Sequence, residues 1–244
     1  KTCYAAFDIY PSFKGAATHI AEFSKVLFDF RNPGLLYTLG HNTEPEINGN
    51  HVLVHFNQPI RNYLSRAEAY TQALYGTLTY CSELEIAHYR DIWSGMAVSN
   101  LSKRCYKVFE VNGLPSVELS YRYPHMGNAT IDKIRKIEHD CLQNADQIIT
   151  PSRVTRDFII NKGCEHSKIS VIPNGAYLKE NLCDQRPVQK PYIIYFGALQ
   201  SWQGVDTLLK AMAKLRDMDI LLVMCSSQPA KFSKPYIKLA EKLE

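Results

Sequence analysis

Apolar positions along this 244-residue chain fall into short continuous runs that alternate with stretches repeating at helical spacing. Residues 3–9 (CYAAFDI) read as a buried strand, and from Ala16 onward Ile20, Phe23, Leu27 and Phe30 recur as one face of a helix. GLLYTLG (34–40) and HVLVHFN (51–57), bounded by Gly, Asn and Pro, suit strands, and residues 62–81, rich in Ala, Leu and Tyr, suit a helix. The alternation continues with a strand at LEIAHYR (84–90), a helix over 93–101 and a strand at YKVFEV (106–111) that ends on Asn112-Gly113. A loop rich in Pro, Tyr and Arg (114–127) leads to a helix expected to be capped by Thr130, with Ile134, Ile137, Cys141, Leu142 and Ala145 on its apolar face. QIIT (147–150) is the next strand, Ser152 opens a helix that Gly163 can terminate, and KISVIP (168–173) closes the series.

Strands and helices alternating at this density predict an α/β fold, a Rossmann-like doubly wound parallel sheet covered on both faces. The first domain is expected to span 1–176, with the polar stretch 177–190 as a linker. The pattern then restarts over 191–244, with a strand at 192–199, a helix over 205–216, a strand at 219–225 and a helix from about Pro229. Two strands and two helices are few for an independent doubly wound domain, so this part is expected to be the beginning of a second Rossmann-like domain.

Composition changes this picture little. A hydrophobic fraction of 45% supplies ample core material, and a net charge of +4 spread along the chain argues only weakly for an anionic partner and not for nucleic acid. A peripheral contact with a membrane surface is compatible with the basic excess and not required by it. Seven scattered cysteines without a CxxC pair, and the absence of a long apolar run or a signal pattern, lead us to expect a cytoplasmic protein without zinc.

In open parallel sheets ligands bind beyond the carboxyl ends of the strands. That rule selects the loops at 10–17, 40–46, 89–94, 112–127, 150–153, 174–176 and 198–204. The first of them holds one well-placed glycine, Gly15, and no GxGxxG, so its local pattern fits an ordinary turn as well as a phosphate grip. Asn112 can hydrogen bond a sugar hydroxyl, or simply form a turn with Gly113. His88, Arg90 and Arg122 share the same row of loops and strand ends, where lone His and Arg are more often structural.

Taken in order, three segments resemble the retaining nucleotide-sugar glycosyltransferases of the GT-B fold (glycosyltransferase family 4, group 1 type). They are YPSFKGAATHI near the start, ADQIITPSRVTRDFI followed by ISVIPNGAY, and IIYFGALQSWQGVDTLLKAMAKL. The resemblance implies a nucleotide-sugar donor as substrate, no cofactor and no required metal, and a glycan, lipid-linked or small-molecule acceptor. It places Gly15 and Lys14, with Gln200, Gln203 and Gly204, at the donor diphosphate. Asn112 falls at the catalytic position beside the donor sugar, and the loops carrying His88, Arg90 and Arg122 on the acceptor side.

The chain departs from the family pattern in three places. Lys14 stands where the first of two adjacent glycines is usual, and Asn112 where a histidine is common. Where the second domain of such enzymes reads G-R-L and E-K-G, this chain has Gly197-Ala198-Leu199 and Trp202-Gln203-Gly204, so both cations are missing and Lys14, or another basic residue of the first domain, is expected to compensate. The family's glutamate pair would fall beyond Glu244, and these 244 residues alone are expected to be inactive. Two alternatives stand beside transfer: a sugar-nucleotide 2-epimerase, for which Asp8, Glu110 and Glu118 would be the candidate acids, and a non-catalytic carbohydrate-binding relative.

Overall fold

The structure is a computed structural model, and it describes residues 1–31, 33–81, 83–101, 104–177 and 188–243. The chain divides into two compact units, Lys1–Gly175 and Ala176–Glu244. Most of the stretch expected to be a linker lies outside the described residues.

The first unit is built on an eight-stranded sheet. Its strands are β1 (Thr2–Ile9), β2 (Gly34–Leu39), β3 (Glu46–Asn48), β4 (His51–Phe56), β5 (Ile86–Tyr89), β6 (Tyr106–Glu110), β7 (Gln147–Thr150) and β8 (Ile169–Val171), in the order β3-β4-β2-β1-β5-β6-β7-β8. All neighbours are parallel except β3, which pairs antiparallel with β4 through a tight turn at Gly49 (φ 57°). β1 is central and buried on both faces from Thr2 to Phe7, which is why its sequence is a continuous apolar run rather than an alternating one.

The helices of this unit are α1 (Gly15–Phe30), α2 (Tyr63–Thr79), α3 (Ile92–Ser99), α4 (Pro115–Arg122), α5 (Asn128–Asn144) and α6 (Arg153–Asn161). On one face of the sheet, Ile20 and Phe28 of α1 pack against Tyr4, Ala6, Leu36 and Leu53. On the other, Tyr70 and Leu74 of α2, Trp93 and Val98 of α3 and Ile134 and Leu142 of α5 cover Cys3, Ala5 and Phe7. Burying side chains of this size contributes about 1.5–3 kcal/mol each, so the central strand is anchored from both sides.

Two expectations are corrected. The stretch read as a loop over 114–127 holds α4, which starts on Pro115, a residue suited to a first helical turn because its missing N–H is not needed there. The helix expected to be capped by Thr130 begins earlier, with Gly127 as its N-cap and no side-chain cap, which leaves Thr130 inside α5. Ser152 does cap α6, accepting from the Thr155 N–H at 3.1 Å, and Gly163 follows that helix at φ 91°.

The second unit pairs β9 (Tyr192–Phe196) and β10 (Leu221–Cys225) in parallel. Between them lie a 3-10 turn (Ser201–Gln203) and α7 (Val205–Ala213), and a further helix, α8 (Lys234–Leu243), ends the described part. Leu199, Val205 and Leu209 form its small core.

Candidate functional site

Strand order in the first sheet reverses at β1. The chain steps outward through β2 and β4, then returns to the other side of β1 with β5 and steps the opposite way through β6, β7 and β8. A crevice must open between the carboxyl ends of β1 and β5, where successive loops run apart. A cavity of about 430 Å³ lies there, and its lining includes Asp8, Lys14, Arg90, Asn112, Glu118 and Arg122.

The end of β1 is shaped for this. Its register against β2 shifts between Ala6 and Ile9, and the Phe7 N–H donates instead to Asp91 Oδ2 at 2.6 Å. Asp91 is also the N-cap of α3, with Oδ1 accepting from the Ser94 N–H at 2.8 Å, so one carboxylate ties the β1 terminus to the start of a helix. Burial pushes the Asp91 carboxyl up to about 6, against the opposing pull of the Phe7 and Ser94 N–H groups.

α1 starts immediately beyond. Its N-cap, Lys14, is extended and offers no side-chain cap: the Ala17 N–H, counterpart of the amides that Asn62, Asp91 and Ser152 bond in α2, α3 and α6, turns back to the Lys14 carbonyl at 2.9 Å, and the Gly15 and Ala16 N–H groups ahead of it receive no side-chain cap. A Cβ built on Gly15 would meet nothing within 4 Å. The fold itself therefore does not demand glycine at this position, whereas a ligand brought close to the backbone would.

Arg90 continues from β5 and bridges two carboxylates. Its Nε lies 3.3 Å from Asp8 Oδ2 and its Nη1 3.2 Å from Glu110 Oε1. Glu110, the last residue of β6, is only 2% exposed. Its Oε1 also accepts from Asn112 Nδ2 at 2.6 Å and lies 3.2 Å from His19 Nδ1, while Oε2 accepts from the Tyr4 hydroxyl at 2.6 Å. Burial alone would raise this carboxyl, yet His88, Tyr4 and Arg90 outweigh it and hold the group at about 2. Burial raises the Asp8 carboxyl against the pull of Arg90 and Lys14, and it raises Glu118, with Asp8 and Glu138 adding to the effect.

Not all the expected residues meet. Lys14, Arg90, Asn112 and Arg122 line the cavity together, with Gly15 beside Lys14 at the start of α1. His88 does not reach it: the ring is buried, 4.7 Å from Tyr4 between centroids, and its Nε2 is turned to the Glu110 carboxylate, 3.4 Å from Oε2. His88 thus stands behind the wall that it was expected to help form. Gln200, Gln203 and Gly204 belong to the second unit, in the loop after β9. There Gly204 sits at φ 70° as the N-cap of α7, and the Gln203 N–H donates to the Gln200 carbonyl at 3.0 Å.

The structure adds residues that the sequence pattern did not single out. Tyr63 and Trp93 form an aromatic side of the cavity, joined by a 3.0 Å bond from Trp93 Nε1 to the Tyr63 hydroxyl. Arg122 lies over the Tyr63 and Tyr123 rings at 5.9 and 5.6 Å, at the border of a second cavity of about 570 Å³ lined also by Arg61 and His125. An aromatic face beside charged hydrogen-bonding groups can hold a sugar ring, and the uncapped helix start can hold an anion. Among the described residues no group of three His, Cys, Asp or Glu side chains is placed to hold a metal ion.

Comparison with known proteins agrees with this architecture. The sequence pattern of Glycosyltransferase Family 4 matches residues 13–180, and the chain belongs to that family. Comparison with the curated protein sequences gives no significant match. Among solved structures, it is similar to a sucrose-phosphate synthase from Thermosynechococcus elongatus (TM-score 0.75, 15% identity, covering 100% of this chain and 68% of that one). It also resembles HepE from Anabaena, solved with UDP and glucose (TM-score 0.64, 15% identity, 100% and 66%), and a putative UDP-N-acetylglucosamine 2-epimerase from Listeria monocytogenes (TM-score 0.61, 10% identity, 99% and 66%). The fold is thus the Rossmann-like α/β fold of the GT-B proteins, and the chain spans about two thirds of the length of these neighbours. None of its described helices is long and apolar enough to cross a membrane.

Proposed function

We propose that the protein transfers a sugar from a nucleotide-diphosphate donor to a carbohydrate or lipid-linked acceptor, with retention of configuration. The observation that carries this reading is the uncapped start of α1, where Lys14 and the open backbone at Gly15 adjoin a cavity lined by Asp8, Arg90 and Asn112. Family membership and solved neighbours holding UDP and glucose, or UDP-glucose, support the donor class.

In this reading the amides opening α1 and the Lys14 ammonium stabilise the negative charge that grows on the diphosphate as the sugar leaves. Asn112 hydrogen bonds the donor sugar. The acceptor lies over Tyr63 and Arg122, toward the second cavity with Arg61 and His125, and attacks on the face from which the nucleotide departs. Gln200, Gln203 and Gly204, in the second unit, offer only uncharged hydrogen-bond donors to a diphosphate. No metal is required.

The test uses the full-length protein with UDP-glucose as the first probe. Lys14→Ala should weaken its binding roughly tenfold, the effect of losing one charge-assisted contact. Unchanged affinity would contradict the role given to Lys14. The epimerase reading draws its support from the 2-epimerase among the structural neighbours and from Asp8 and Glu118, two cavity-lining carboxyls that burial raises. Incubating the protein with UDP-N-acetylglucosamine and no acceptor separates the two, because an epimerised product would favour that alternative.

A further inference from the structure

We infer that Glu110 is a positioning residue that locks the Asn112 amide with its nitrogen inward and its carbonyl toward the cavity, so that Asn112 Oδ1 is held ready to accept a hydrogen bond from a ligand hydroxyl. An asparagine amide is ordinarily free to turn over, offering either its NH2 or its oxygen to a ligand. Here the choice is made behind it. Glu110 is almost wholly buried, and its Oε1 lies 2.6 Å from Asn112 Nδ2.

A carboxylate only accepts, so the amide can meet it at that distance only through its NH2. The carboxyl is held at about 2 because His88, Tyr4 and Arg90 outweigh its burial, and it therefore stays ionised at any ordinary working pH. Arg90 and Tyr4, bonded to the same carboxylate, keep it from rotating away. Among the described residues no donor reaches Asn112 Oδ1, and Asn112 lines the cavity. The oxygen is left as the group available to a ligand.

The inference rests on the proposed function only for the identity of the ligand, not for the state of the amide. Two measurements on the full-length protein keep these apart. In the first, asparagine is labelled with 15N and the Asn112 side-chain pair is assigned by its loss in Asn112→Ser. One amide proton should be shifted downfield and protected from exchange, and Glu110→Gln should abolish both signs, since a neutral carboxamide no longer dictates which way the amide faces. An Asn112 pair that exchanges as fast as a surface asparagine would overturn the inference.

The second measurement needs no variant, so it stands even if Glu110→Gln fails to fold. UDP-glucose is compared with its monofluoro analogues, in which fluorine cannot donate a hydrogen bond. At least one analogue should bind roughly tenfold more weakly than UDP-glucose. If all of them bind like the parent, the inference is overturned. A protected Asn112 amide in a protein that binds no nucleotide sugar would leave the positioning intact and sink the proposed function instead.

Discussion

Each α/β unit opens in the same way, with a parallel strand, a short loop and a helix that lacks a side-chain cap, yet the two loops are built on opposite principles. After β1 the loop lies among charges: Lys14, the Asp8–Arg90 pair at 3.3 Å and, behind them, the ionised Glu110. After β9 the stretch from Gly197 to Gly204 contains no Asp, Glu, Lys or Arg. Its glycines serve the backbone, at φ 155° for Gly197 and 70° for Gly204, whereas Gly15 is an ordinary helical residue facing open space. The same residue type thus stands in two settings, a left-handed backbone at Gly204 and an ordinary helical position facing open space at Gly15.

The largest effect is expected at Glu110, the charge behind the first loop. Replacing it by Gln removes the charge around which Tyr4, His19, Arg90 and Asn112 are arranged, and should lower stability at pH 7 by about 3 kcal/mol in urea denaturation. The folded carboxyl sits at about 2, below its ordinary value of 4.5. Its contribution is therefore complete above that ordinary value and is lost as pH falls from there toward about 2. Denaturation curves of the two proteins should converge over that window, and a difference independent of pH would show that packing, not charge, matters at this site.

A smaller effect is expected in the second unit. Gly204→Ala places a side chain at φ 70° and should cost about 1–2 kcal/mol, read as a lower melting temperature of the transition that unfolds α7. A variant as stable as the parent would mean that the loop after β9 does not need its left-handed residue. Smaller still is Gln203→Ala, which removes one neutral donor and should weaken UDP-glucose binding by no more than about threefold, less than Lys14→Ala. Equal losses at the two positions would erase the contrast between a charged and an uncharged loop.

Much of this architecture is legible in the amino-acid sequence, because continuous apolar runs mark the strands buried on both faces and Ile20, Phe23, Leu27 and Phe30 mark α1. Short elements escape. β3 is three residues, Glu46–Asn48, and exists through its pairing with β4 rather than through its own pattern. α4 buries only Ser116 and Leu119, too little to give a helical period.

The row of loops carrying Gly15, Lys14, Arg90 and Asn112 follows from the rule for parallel sheets, but the arrangement around Glu110 does not. Its partners Tyr4, His19 and Arg90 lie 106, 91 and 20 residues away in sequence. They meet because β1 and β6 both border β5 and because α1 crosses that face of the sheet. One signal was present: a glutamate inside the apolar run YKVFEV, which a buried strand does not tolerate unless its charge is matched. His88 carries the converse lesson, since a histidine near a strand end can as well face inward as toward a ligand.

In the proposed function Gly15 is glycine for a ligand and not for the fold. Gly15→Ala tests it directly, by paired measurement of melting temperature and UDP-glucose affinity on the full-length protein. With no atom within 4 Å of the added Cβ, and alanine favoured over glycine in a helix, the melting temperature should hold or rise slightly while affinity falls at least about tenfold. A variant that binds UDP-glucose as the parent does, or one that loses stability in place of affinity, would contradict the account.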